Sequence, residues 1–177
     1  MDPAGPRTTP TQDTDGFRPE LVVIPCGSRK LDHRARAADL YTGSYHRACR
    51  RAAEALRPDR LLILSARYGL LDLDDEIDPY DTPHGHADAV TAALLRTQAE
   101  GLRITDADPV LALGGARHVA LAKAVWPHAQ TPLDGTRGMG EQFARLAAMA
   151  RLAGTPSPAT AKGRDARRAA ARRRLTP

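Results

Sequence analysis

Three short apolar runs, Glu20–Ile24 (ELVVI), Leu61–Leu64 and Pro109–Leu113, alternate with stretches of helical periodicity. That alternation constrains the fold more than any other feature. None of the runs alternates polar with apolar, as a strand wetted on one face would. Each therefore reads as a strand buried on both faces, and strands of that kind belong to parallel sheets covered by helices. The predicted helices are Asp39–Leu56, Ala87–Leu102, Ala116–Val125 and Glu141–Leu152, with apolar positions near i, i+3, i+4 spacing and Pro58 and Pro127 as stops. The expected fold class is α/β: a mostly parallel sheet flanked by helices in a single domain. The domain spans 19–153, after a Pro/Thr/Asp-rich segment at 1–18 that reads as disordered. Residues 154–177 form a basic tail.

Charge separates that tail from the body. The net charge of the 177 residues is +5, yet Lys162, Arg164, Arg167, Arg168, Arg172, Arg173 and Arg174 against Asp165 give the tail +6. The body then carries 5 − 6 = −1. A cluster of arginines interleaved with alanines suits phosphate contact without base reading. An inert arm is the alternative. There is no run of 18 apolar residues, the Pro/Thr/Asp-rich start is not expected to act as a secretory leader, and the two cysteines, Cys26 and Cys49, form no CxxC motif. A reduced cytoplasmic protein that makes no membrane contact is expected. The oligomeric state is not legible.

Each apolar run breaks into small and polar residues: Cys26-Gly27-Ser28-Arg29-Lys30, then Ser65-Ala66-Arg67-Tyr68-Gly69, then Gly114-Gly115-Ala116-Arg117. In a parallel sheet these ends share one edge, where α/β proteins bind ligands. Small residues admit a ligand to the backbone, Lys30 and Arg117 supply positive charge, and Tyr68 or Tyr80 supplies a stacking face. A nucleoside, nucleotide or nucleic acid is the expected partner. After the second run come Asp72, Asp74, Asp75, Glu76 and Asp78, five carboxylates in seven residues. Such a set needs a cation, hydroxyl donors or open solvent. If the ligand undergoes N-glycosidic cleavage or exchange, Asp74, Asp75 or Asp78 is the catalytic carboxylate beside the developing oxocarbenium ion or attacking water.

The remaining motifs are weaker. Gly138 and Gly140 precede the last helix, where free N–H groups can hold a phosphate, and GMGEQFARL is similar to half of a helix-hairpin-helix element. Together with Arg167, Arg168, Arg172, Arg173 and Arg174 they are the nucleic-acid-binding candidates. His84 and His86, with Asp81 nearby, lack a third fixed ligand and read as a solvated loop. His46 and His118 read as surface positions on helices. Cys26 reads as a small strand-end residue rather than a nucleophile. No metal and no cofactor is expected.

LSARYGLLDLDDEIDPY resembles the signature of the YaaA-like (peroxide-stress) family and its short bacterial and phage relatives. Leu70-Leu71 and Pro79-Tyr80 keep that signature's spacing. ADLYTGSYHRA, with Tyr41 and Gly43, is similar to the family's Tyr-x-Gly helix entry, which brings Tyr41 among the ligand-binding candidates. IPCGSRKLD resembles the family's first strand, and also a strand end in the accessory domain of archaeosine-type tRNA transglycosylases. The resemblance covers roughly Leu21–Leu152 and implies DNA binding and a link to oxidative stress. It keeps two alternatives beside the nucleoside reading: a non-enzymatic DNA-binding stress protein, and a partner-binding domain without catalysis.

Overall fold

β1 (Leu21–Pro25) is buried along its whole length, as a run of Leu, Val and Ile without polar alternation requires. It pairs in parallel with β3 (Arg60–Ser65) on one side and with β6 (Val110–Ala112) on the other. In this computed structural model, which describes residues 17–154, the sheet order is β4-β3-β1-β6. β4 (Gly69–Asp72) returns antiparallel beside β3, so the sheet is mixed but mostly parallel. From Arg18 onward the described residues form one compact unit. None of their helices is long and apolar enough to cross a membrane.

The side chains of β1 divide the core in two. Leu21 and Val23 join Leu62, Leu64, Val110 and Ala112 beneath α3 (Ala92–Gly101) and α4 (Ala116–Val125), with Leu95, Ala122 and the fully buried Trp126. Val22 and Ile24 join Ile63, Leu111 and Leu113 beneath α2 (Ser44–Ala55) and α5 (Met139–Gly154), with Cys49, Ala52 and Leu146. The result is three layers, helix on sheet on helix. The chain winds from β1 to β3 over one face, then returns past β1 to β6 over the other. Winding therefore reverses between β1 and β6, and the crevice at such a reversal is where open α/β sheets take ligands.

Three local expectations are corrected. The helix expected over Asp39–Leu56 is two helices, α1 (Ala37–Leu40) and α2. Residues 41–43 leave the helix because their backbone joins the strand-end loop: Lys30 and Tyr41 form an antiparallel bridge, and Thr42 N–H donates to Arg29 C=O at 2.9 Å. The helix expected from Ala87 starts at Ala92. Thr91 caps it, its Oγ1 accepting from Leu94 N–H at 3.2 Å, and Val90 N–H is held by Ala66 C=O at 2.8 Å. The stretch after β3, whose acids call for a cation, hydroxyl donors or open solvent, is partly strand. Leu70 and Leu71 of β4 are buried on opposite faces, Arg60 makes a bidentate pair with Asp72 across the hairpin, and β5 (Glu76–Ile77) pairs with β2 (Ala35–Arg36).

Candidate functional site

Parallel pairing places the ends at Gly27, Ser65 and Gly114 on one edge of the sheet, as expected. Gly114 brings the last of these close in. Its φ is +135°, and a Cβ there would lie 3.1 Å from His118 Cβ and 3.2 Å from Pro25 Cβ. Only glycine lets the turn into α4 press against the end of β1. His118, in the first turns of α4, is thereby delivered to Cys26.

Cys26 Sγ lies 3.6 Å from His118 Nε2 and 3.7 Å from His84 Nε2, and the two Nε2 atoms are 2.8 Å apart. His84 arrives on the loop after Asp81, held by Arg117, whose Nη1 donates to His84 C=O at 2.7 Å. Burial pushes the His118 pKa down to about 3, with the neighbouring His84 adding to the shift. Burial and then the Arg117 charge lower that of His84. Both rings are therefore neutral near pH 7. This corrects the reading of His84 as part of a solvated loop and of His118 as a surface residue. Of the loop pair His84 and His86, it is His86 that is exposed, beside Asp88. His46 is also no surface residue: it is 1% exposed, and its Nδ1–H donates to Pro25 C=O at 2.8 Å. The Cys–His–His cluster joins positions 58, 34 and 92 residues apart, so no local spacing announces it.

A hydroxyl network lies beside it. Ser65 is fully buried; its Oγ accepts from the N–H groups of Arg67 (3.2 Å) and Tyr68 (3.0 Å) and donates to Tyr80 OH (2.8 Å). Tyr80 OH meets Tyr41 OH at 2.9 Å. Burial raises both phenol pKa values, that of Tyr41 to about 12, so both stay protonated. Lys30 Nζ sits 4.2 Å from the centre of the Tyr80 ring, and Tyr68 meets that ring edge-on at 5.5 Å. The Lys30 ammonium thus covers a face of the ring that sequence reasoning offers for stacking.

In front of the network opens a cleft of about 780 Å³, lined by Ser28, Arg29, Lys30, Leu31, Thr42, Pro79, Tyr80 and Asp81. Of the expected ligand-binding residues, Ser28, Lys30 and Tyr80 line it, and Tyr41 and Ser65 back Tyr80. Cys26 and Arg117 belong to the histidine cluster. Gly27 packs against His46 and Tyr41, Gly115 caps α4, and Gly69 lies against Gln98 of α3. Arg67 stands 5.9 Å from the Tyr68 ring, and Tyr68 OH donates to Asp78 C=O at 3.3 Å.

The three expected catalytic carboxylates lie elsewhere. Asp74, with its side chain 87% exposed, pairs with Arg36 at 3.1 Å. Asp78 pairs with Arg34 at 3.3 Å. Asp75 Oδ2 accepts the Asp72 N–H at 2.8 Å, closing a turn. Arginines and a backbone donor compensate these acids, and the carboxylate that lines the cleft is Asp81. Sequence reasoning missed Asp81 as an acid of the cleft, together with Arg29 and Thr42. Gly138 and Gly140 lie at the start of α5, where Glu141 Oε2 accepts the Arg137 N–H at 2.9 Å. A carboxylate at that helix end opposes a phosphate there. Arg167, Arg168, Arg172, Arg173 and Arg174 lie outside the described residues.

Fold and site together define an α/β protein with a polar cleft at the carboxyl edge of its sheet. The chain belongs to DUF6884, a family of unknown function, whose profile matches residues 21–148. No curated protein and no solved structure matches it.

Proposed function

We propose that the strand-end cleft binds a nucleoside or nucleotide, free or within a nucleic acid, and supports cleavage or exchange of its N-glycosidic bond. One observation carries this reading: the cleft combines the cations Arg29 and Lys30 with the carboxylate Asp81 beside the buried Tyr41–Tyr80–Ser65 hydroxyls. The cations suit a phosphate. Asp81 takes the role that sequence alone assigns to Asp74, Asp75 or Asp78, stabilising positive charge on the ribose or activating water. The likeness to YaaA-like proteins forms part of the proposal, because its Leu70-Leu71 and Pro79-Tyr80 are the residues that build the hairpin and the tyrosine network. The free Cys26 and Cys49 fit a reducing compartment such as the cytoplasm.

Thermal melts with a panel of nucleosides and nucleoside monophosphates test the binding. A bound ligand at 100 times its Kd adds about 2.7 kcal/mol of stability. Phosphorylated members should shift the melt most, and Lys30→Ala should abolish that preference. Asp81→Asn should retain binding but stop release of free base, whereas Asp74→Asn should change neither. A panel in which no member shifts the melt at millimolar concentration removes the nucleotide reading.

A further inference from the structure

We propose that Cys26, His84 and His118 form a binding site for a divalent transition-metal ion, zinc being the best match to a thiolate and two imidazoles. The three ligand atoms lie within 4.8 Å of one another, on a strand end, a loop and a helix that the fold holds together. Tetrahedral zinc, with bonds of about 2.3 Å to sulfur and 2.0–2.1 Å to nitrogen, separates sulfur from nitrogen by about 3.5 Å and two nitrogens by about 3.3 Å. The sulfur–nitrogen distances here are 3.7 and 3.6 Å. The nitrogen pair, at 2.8 Å, needs to open by about half an ångström to take the ion.

The cluster makes poor sense as a hydrogen-bonded set. The two Nε2 atoms face each other at hydrogen-bonding distance, where only one of them can donate, while the thiol points at both. A cation takes all three lone pairs at once. Coordination sends the thiol proton to solvent and leaves each ring its proton on Nδ1, so zinc and the thiolate together add a single positive charge.

The donors are three, and three protein ligands with a fourth position left for water or substrate is the pattern of catalytic rather than structural zinc. Placement agrees. Cys26 and His118 flank the crevice between β1 and β6 where the winding reverses, Cys26 stands two residues before Ser28, and His84 three after Asp81. Both ligand-bearing segments therefore run directly out of the cleft lining.

The competing reading is a metal-free Cys–His pair with Cys26 as nucleophile. Full-length protein stripped with a chelator and titrated with Co²⁺ separates the two. One equivalent should bind with the absorption of a thiolate-ligated tetrahedral ion, and Zn²⁺ should displace it and raise the melting temperature. Cys26→Ser, His84→Gln and His118→Gln, each checked for folding by circular dichroism, should weaken Zn²⁺ binding by more than the roughly 100-fold that loss of an outer-shell partner costs. In the wild type, Zn²⁺ should protect Cys26 from alkylation, a readout that needs no variant to fold. Absence of stoichiometric Co²⁺ binding, cobalt spectra that persist in Cys26→Ser, or rapid Cys26 alkylation unaffected by Zn²⁺ would overturn the metal site.

Discussion

His46 illustrates how one side chain can tie the site to stability. It lies under the end of β1, donates through Nδ1 to Pro25 C=O, and packs its ring 5.0 Å from that of Tyr41. Its Nε2 is buried without a partner. Burial lowers its pKa, the Pro25 hydrogen bond partly opposes that, and Arg50 and Arg47 add repulsion. The unfolded chain, with an ordinary pKa of about 6.5, then binds the proton before the folded chain does. Stability must fall as pH drops through about 6.5, by up to about 1.4 kcal/mol per pH unit for each proton taken up on unfolding. Melts of chelator-treated protein from pH 7.5 to 5 should show this decline. His46→Asn, whose amide can still reach Pro25 C=O, should flatten the His46 share of it, whatever its effect at pH 7.5. An unchanged slope in that variant would assign the acid sensitivity to other groups. None of this is legible in the sequence, where His46 lies among Arg47, Arg50 and Arg51 and looks like one more position on a solvated helix face.

At the scale of elements, the β3–β4 hairpin does the most to place the site. Residues 66–68 close it, and Gly69 adopts φ +80°, the left-handed conformation that follows a three-residue hairpin turn. Gln98 of α3 then staples the turn, its Oε1 accepting from Leu70 N–H and its Nε2 donating to Tyr68 C=O, both at 2.8 Å. An added Cβ at Gly69 would collide with that amide. Gly69→Ala should therefore cost about 1–3 kcal/mol from backbone strain, with the lost staple in addition. A melting temperature unchanged from wild type would show that the turn can rearrange at no cost. The strand β4 was hard to read because only Gly69-Leu70-Leu71 separates the turn from the acids, too short a run for either periodicity to register. The break between α1 and α2 was equally hidden. It depends on Lys30 and Arg29 claiming the backbone of Tyr41 and Thr42, a pairing between distant residues. What was legible were β1, β3 and β6, whose unbroken apolar runs could be satisfied only inside a two-faced sheet.

For the whole molecule, the parallel order of β1, β3 and β6 and the shared edge of their ends follow from composition and alternation. The content of the edge does not. Asp74, Asp75 and Asp78 are crowded in sequence, yet the crowding is relieved locally by Arg34, Arg36 and a backbone N–H, and the cleft takes its acid from Asp81. The same sequence assigns the molecule two regions of different charge, −1 over residues 1–153 and +6 over 154–177. A near-neutral body has little long-range attraction for a polyanion, so affinity for nucleic acid, if the basic segment supplies it, should be sequence-independent and dominated by counterion release. Duplex binding should then weaken steeply with salt, on the order of 10³-fold between 50 and 200 mM if about six phosphates are neutralised. Deleting residues 155–177 should abolish that affinity at low salt. It should leave the melting temperature and the nucleoside response of the cleft in place, because the core and every cleft residue lie within 18–154. Affinity and salt slope unchanged by the deletion would return nucleic-acid binding to the body, and with it the exposed glycines 138 and 140 at the start of α5.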